Sequence, residues 1–89
     1  MIEQGVTIVN KLGLHARAAA KFVTCASRFA STVLLNYSGQ EVNGKSIMGV
    51  MMLAAAKGSE LSLIVEGEDE AEAVEALKAL IADRFGEDE

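Results

Sequence analysis

The chain has 89 residues, a net charge of −5 and an apolar fraction of 51%, which suit one small globular domain with a single core. The acidic balance disfavours nucleic acid and anionic membrane surfaces, because both bind clustered lysine and arginine. One cysteine and one histidine exclude an internal disulfide and a four-ligand zinc site built from these residue types. The sequence shows neither a signal peptide nor a membrane-spanning run, so we expect a cytoplasmic protein with one domain over residues 1–89.

The start of the chain predicts a strand and then a helix. Residues 6–9 (VTIV) are β-branched throughout, which favours a strand. From residue 16 to about residue 29, apolar side chains recur at helical spacing and predict a helix with one buried stripe. That stripe consists of Ala19, Phe22, Val23, Ala26 and Ala30.

The middle of the chain predicts a hairpin followed by a short helix. Side chains alternate along residues 32–37, and Ser38-Gly39 then predict a turn into a partner strand near residues 41–42. The turn residues at 43–45 (NGK) precede Ser46, which is placed to cap a helix from residue 47 to about residue 56.

The last third predicts one more strand and the clearest helix. Residues 61–65 (LSLIV) predict the strand, and residues 69 to about 84 predict the helix. The buried stripe of this helix consists of Val74, Leu77, Leu80 and Ile81. The order β-α-β-β-α-β-α indicates an α+β domain, with a mostly antiparallel sheet that carries helices on one face. The final four residues, GEDE, predict a frayed acidic tail.

His15 is the residue best placed to carry chemistry. It directly precedes the first helix, whose free backbone N–H groups and dipole favour an anion. These groups favour a neutral, nucleophilic imidazole and would stabilise the charge that phosphorylation adds. Arg17 supplies a guanidinium that can form bidentate hydrogen bonds with phosphate oxygens. The alternative is a helix-start histidine beside a solvated arginine, and the two residues alone do not exclude it.

Ser46 has two compatible interpretations. It can be a plain N-cap, or it can be a regulatory phosphorylation site, since a phosphate there would meet the helix dipole favourably.

The second helix is apolar almost all round. One side consists of Val50, Leu53 and Ala54. The other side consists of Ile47, Met48, Met51 and Met52. Because so small a protein cannot bury both sides, the methionine-rich side predicts a partner-docking patch. The alternative is an unusually buried helix.

Two segments of the chain resemble the signatures of one protein family. Residues 10–17 (NKLGLHAR) resemble the active-site loop of HPr, the histidine phosphocarrier of the bacterial phosphoenolpyruvate-dependent phosphotransferase system. Residues 42–49 (VNGKSIMG) resemble its second signature, and the match continues through residues 53–58 (LAAAKG). The two signatures together, at this spacing in so short a chain, are more specific than either alone.

The resemblance implies an open-faced β-sandwich, with a four-stranded antiparallel sheet and three helices on one face. It implies that enzyme I phosphorylates His15 on Nδ1, that Arg17 neutralises the phosphoryl group, and that an A-type permease subunit or a regulatory counterpart receives it. Ser46 corresponds to the position that an HPr kinase modifies in many members. We expect the partner-docking surface to consist of Ala16, Ala20, Ile47, Met48, Met51 and Met52.

The sequence departs from the family pattern at one position and also resembles a paralogue of the family, so more than one role stays open. Ala18 stands where many members have proline, which predicts a slightly looser helix start without loss of chemistry. The alanine-rich first helix and acidic tail are also similar to the nitrogen-related paralogue of HPr, which feeds a regulatory branch. A further alternative is a regulatory binding module that acts mainly through Ser46 and the Ile47/Met48 patch.

The predicted role is that of a carrier, which is a substrate and donor of other proteins and not a self-contained enzyme. We expect no cofactor, no metal, and no nucleic-acid or membrane partner. We also expect the protein to be a monomer.

Overall fold

The computed structural model describes residues 1–89 and contains four strands, three α-helices and a final 3₁₀ turn. In chain order these are β1 (Ile2–Thr7), α1 (Ala16–Ala26), β2 (Thr32–Tyr37), β3 (Gln40–Asn43), α2 (Ile47–Met52), β4 (Glu60–Glu66), α3 (Glu70–Ala82) and the turn Arg84–Gly86. The predicted order of strands and α-helices is therefore confirmed.

The sheet has the strand order β1-β4-β2-β3, and every neighbouring pair is antiparallel. β4 is an interior strand, in which Leu63 lies opposite Gln4 of β1 and Leu35 of β2. Leu61, Leu63 and Val65 of β4 are buried, whereas the residues between them are more exposed. Helices thus cover only one face, which confirms the open-faced β-sandwich.

The three helices close the buried face of the sheet. α3 packs against β1 and β4, α1 packs against α2 and α3, and α2 contacts β3. Phe22 of α1, Leu63 of β4 and Leu77 of α3 are fully buried between these layers. Burial of one such side chain stabilises the fold by about 1.5–3 kcal/mol, so this interface is the main source of stability. The longest helix, α3, has 13 residues, and none of the helices could span a bilayer.

Two helices end earlier than predicted, and residues beyond them are more exposed than expected. α1 ends at Ala26, so Ala30 lies outside the helix and is exposed. α2 ends at Met52, and Ala54 is exposed with a φ of 50°. Hydrophobic spacing did not reveal the end of α2, because the chain continues to bury apolar residues such as Ala55 after the helix stops.

β1 begins four residues earlier than predicted and ends at Thr7, before the predicted end at residue 9. Residues 2–5 are strand because they pair with β4, in a register that places Ile2 opposite Val65. Ile8 follows the strand and stays buried. Its carbonyl accepts a hydrogen bond from the N–H of Gly58 at 2.7 Å, which joins this end of β1 to the segment that precedes β4.

Candidate functional site

His15 is the N-cap residue of α1. Its backbone is extended, with φ −73° and ψ 177°, and its carbonyl accepts the helical hydrogen bond from the N–H of Ala19 at 2.8 Å. Its side chain makes no capping hydrogen bond and is 29% exposed. The imidazole therefore stands at the surface, at the N-terminal end of the helix.

The loop before His15 is fixed against the segment that follows α2. The N–H of Leu14 donates to the carbonyl of Ala55 at 2.9 Å, and the Leu14 side chain is buried. Gly13 has a φ of +67°, and a Cβ at this position would lie 2.4 Å from the same carbonyl oxygen. Only glycine allows this approach without strain, so Gly13 is the residue that lets the loop before His15 lie against Ala55.

The first turn of α1 keeps backbone donors for a ligand. The N–H groups at the start of an α-helix have no partner within the helix, and this turn contains no acidic side chain. The side chain of His15 does not cap them either. Together with the helix dipole, these groups favour an anion beside His15.

Arg17 lies in the same first turn of α1 and is exposed. It forms none of the ion pairs in the structure. His15 and Arg17 line one open hollow, together with Lys11, Leu12 and the last three residues of the chain. The structure thus brings the two predicted site residues together, with the Arg17 guanidinium free to bind an anion at the hollow.

The C-terminal residues also line this hollow, so the predicted frayed tail is wrong. Phe85 is fully buried and its carbonyl accepts a hydrogen bond from Lys21 Nζ at 2.6 Å. The main-chain oxygen of Glu89 accepts a hydrogen bond from the N–H of Lys11 at 2.6 Å. These contacts return the chain end to the loop before α1, because burial of Phe85 anchors the turn that precedes the last three residues.

Glu87 is the site residue that sequence reasoning missed. Its carboxylate accepts a hydrogen bond from Asn10 Nδ2 at 3.0 Å and contacts Nε2 of His15. Hydrogen bonds from Asn10 and then His15, with a smaller effect of the charge on Lys21, hold the pKa of Glu87 below its ordinary value. No local pattern distinguishes Glu87 from the other acids of the tail, since both partners are distant in sequence.

Asn10 connects this carboxylate to the loop. The residue is fully buried, and its Nδ2 also donates to the carbonyl of Gly13 at 2.8 Å. In the sequence, this asparagine is visible only as part of the loop signature. The structure shows that one amide group holds both the loop before His15 and the carboxylate beside it.

Ser46 is the N-cap of α2, as predicted. Its Oγ accepts a hydrogen bond from the N–H of Gly49 at 3.1 Å. The side chain is only partly exposed. The next residues, Ile47 and Met48, are exposed, so a group added to Ser46 would lie at the edge of the methionine-rich surface.

The methionine-rich side of α2 faces solvent, so the alternative of a fully buried helix is wrong. The exposed large apolar residues on α2 are Ile47, Met48, Met51 and Met52. The opposite side, with Val50, is buried. On α1, which packs against α2, Ala16 is exposed and Ala20 is partly buried. All six residues of the predicted docking surface are therefore at least partly accessible.

No cluster of three His, Cys, Asp or Glu side chains in the structure could hold a metal ion. The hollow at His15 is lined instead by two cationic side chains, Lys11 and Arg17, and by three acidic ones, Glu87, Asp88 and Glu89. Lys11 pairs with Glu89, so Arg17 is the cation that an incoming anionic group would meet.

Comparison with known proteins identifies the family. The family model for the PTS HPr component phosphorylation site matches residues 2–83. The chain belongs to the HPr family. It is 56% identical over 89 residues to the phosphocarrier protein HPr of Cupriavidus necator, with 100% of both chains covered. It is 52% identical over 81 residues to the HPr-like protein Crh of Bacillus subtilis, which covers 91% of this chain and 95% of Crh.

A solved structure shows the same fold. The crystal structure of HPr-C-His from Thermoanaerobacter tengcongensis is 47% identical and has a TM-score of 0.96, with 100% of both chains covered. The resemblance given by the two signature segments is thus confirmed, and the general role is that of a phosphocarrier of the phosphotransferase system.

Proposed function

We propose that this member of the HPr family accepts a phosphoryl group on His15 from phospho-enzyme I and donates it to an A-type permease subunit or a regulatory counterpart. The observation that carries the proposal is the environment of the imidazole. Nε2 contacts Glu87, whereas Nδ1 makes no hydrogen bond and is not buried. Nδ1 is therefore the ring nitrogen that an incoming phosphorus atom can reach.

The surroundings of His15 suit a group that is repeatedly loaded and released. Free N–H groups of α1 and the Arg17 guanidinium can neutralise the phosphoryl oxygens. The hollow is open, so a partner protein can supply the remaining positioning and charge neutralisation for in-line transfer. The chain then acts as a carrier whose chemistry is completed by each partner and not as a self-contained enzyme.

Partner recognition is proposed for the surface formed by α1 and α2. Its members, as predicted from the sequence, are Ala16, Ala20, Ile47, Met48, Met51 and Met52. Exposed methionines adapt their shape to different partners, which suits a carrier that must bind both a donor and an acceptor. We also propose that the carrier acts as a monomer, which light scattering in solution can check.

The test is labelling by enzyme I and labelled phosphoenolpyruvate. The protein should gain a base-stable, acid-labile label, and the label should pass to an A-type permease subunit. His15→Ala should gain none, while Ser46→Ala should be labelled like the unmodified protein. Label that survives in His15→Ala would refute His15 as the acceptor.

A second candidate function is regulation through Ser46, which a kinase would phosphorylate. The chain could then serve as the nitrogen-branch paralogue or as a regulatory binding module that acts through the Ile47/Met48 patch. The position of Ser46 favours this regulatory role, because its Oγ is at the start of α2 directly before the exposed Ile47 and Met48. A phosphate there would change the charge at the edge of the docking surface without removing the helix. ATP and an HPr kinase should give an acid-stable label that Ser46→Ala loses; its persistence in that variant would contradict this assignment.

A further inference from the structure

The carboxylate of Glu87 occupies the side of the His15 ring away from Nδ1. One oxygen, Oε1, accepts from Asn10 Nδ2 at 3.0 Å, and the other, Oε2, contacts His15 Nε2. Glu87 lies beyond residues 2–83, the part of the chain that the HPr family model matches. The contact thus involves a C-terminal residue outside the part of the chain that the family model matches.

The hydrogen-bonding partners determine which ring nitrogen carries the proton. The pKa of Glu87 is lowered by the hydrogen bonds from Asn10 and His15, so its carboxylate is ionised at neutral pH. An ionised carboxylate can only accept hydrogen bonds. Nε2 must therefore donate, and the neutral imidazole keeps its lone pair on Nδ1.

Contacts on both sides of Glu87 hold it in place. Before it, Phe85 is fully buried and its carbonyl accepts from Lys21 Nζ at 2.6 Å. Beside it, Asn10 is fully buried and uses Nδ2 for two hydrogen bonds, to Glu87 and to the carbonyl of Gly13. Asn10 keeps this orientation although its Oδ1 is buried without a partner. The amide is thus oriented by its two acceptors.

We propose that Glu87 is a positioning residue for phosphoryl transfer, which holds Nε2–H of His15 and leaves Nδ1 as the free nucleophile. The inference rests on the proposed acceptor role of His15. A histidine ligand oriented by a carboxylate on its second nitrogen is a general device for fixing the tautomer and the ring plane.

The transfer step balances without any proton leaving the ring. The Nδ1 lone pair forms the nitrogen–phosphorus bond, the bond between phosphorus and the donor protein breaks, and its electron pair stays on the donor. Because Nε2 keeps its hydrogen, the ring becomes cationic, and the Glu87 carboxylate faces that new charge. The carboxylate stabilises this cationic ring, and the retained Nε2–H allows the ring to depart as a neutral imidazole in the next transfer.

The test compares Glu87→Ala with Glu72→Ala. Both variants remove one glutamate carboxylate, but Glu72 is exposed on α3, makes no ion pair and lies outside the hollow at His15. Two quantities are measured: the single-turnover rate of His15 labelling by enzyme I, and the NMR signal of the His15 Nε2–H proton. This proton is protected from exchange with water only while it is hydrogen-bonded.

In Glu87→Ala we expect labelling to slow by roughly tenfold or more, as for loss of other residues that orient a histidine, and the Nε2–H signal to disappear at neutral pH. Glu72→Ala should keep both the rate and the signal. An unchanged rate in Glu87→Ala would overturn the inference, whether or not the signal is lost. Failure to label the unmodified protein would instead refute the proposed function, and the inference with it.

Discussion

The starts of α1 and α2 differ in whether a side chain of the helix start accepts a hydrogen bond from the first backbone N–H groups. At α2, Ser46 Oγ accepts a hydrogen bond from the N–H of Gly49 at 3.1 Å. At α1, the His15 side chain makes no capping bond, and its ring faces Glu87 instead. The start of α2 is therefore closed by its own side chain, whereas the start of α1 keeps donors for an incoming anion.

The start of α2 therefore contributes to the stability of the fold, whereas the start of α1 is suited to binding an anion. Substitutions at the start of α2 should lower the free energy of unfolding and leave transfer to His15 intact. Substitutions at the start of α1 should do the reverse, unless they disturb the loop that joins the two regions. Four predictions test this separation.

The largest effect is expected for Gly13→Ala, which disturbs that loop. The backbone φ is +67° and the new Cβ would lie 2.4 Å from the carbonyl oxygen of Ala55. Strain of this kind costs about 1–3 kcal/mol, and the collision adds to it because backbone atoms must move. Urea unfolding should show this loss, and His15 should be labelled more slowly.

Gly39→Ala is the matched control for that experiment. Gly39 also has a positive φ, +83°, but no atom lies within 4 Å of the added Cβ. It should lower the free energy of unfolding by less than Gly13→Ala does and leave labelling of His15 unchanged. Equal losses in the two variants would contradict the role assigned to the contact with Ala55.

Arg17→Ala should affect transfer and not stability. A hydrogen bond to a charged group contributes about 1.5–3 kcal/mol, so the loss of one in the transition state slows transfer about tenfold to a hundredfold. The free energy of unfolding should stay within about 0.5 kcal/mol. Arg28→Ala, just beyond the C-terminal end of α1 and outside the hollow, should keep the normal rate; an equal slowing there would indicate a general charge effect.

Ser46→Ala should give the opposite result at the start of α2. Loss of an N-cap hydrogen bond costs about 1 kcal/mol, measurable as a lower urea midpoint. Enzyme I should still label His15 at the normal rate. Ser46→Asn keeps an oxygen acceptor and should restore most of the stability. If Ser46→Ala has full stability, the capping bond is not the stabilising feature of this helix start.

The smallest effect is expected from acid. Hydrogen bonds lower the pKa of Glu87 from an ordinary value of 4.5, so its contact contributes stability above that value and loses it as the pH falls through the folded-state pKa. The side-chain amide signals of Asn10 should shift over this range below pH 4.5. Glu87→Gln should abolish that shift; its persistence would assign the transition to another carboxylate.

Much of the fold could be predicted because the relevant patterns are local. Alternation along residues 32–37 and helical spacing at Ala19, Phe22 and Ala26 indicated the correct buried sides. The end of α2 and the start of β1 could not be read in this way. They depend on which partner segment offers a hydrogen bond, as when the Ala55 carbonyl accepts from Leu14.

The sequence by itself determined the order of the elements, the place of His15 before a helix, the cap at Ser46 and the exposed methionines, because each follows from neighbouring residues. Only the tertiary structure decided that the acidic tail returns to the site and that Glu87, rather than Asp88 or Glu89, meets the imidazole. Glu87 and His15 are 72 positions apart. Their contact depends on where the buried Phe85 side chain and the Asn10 amide hold the chain, and no local pattern encodes that.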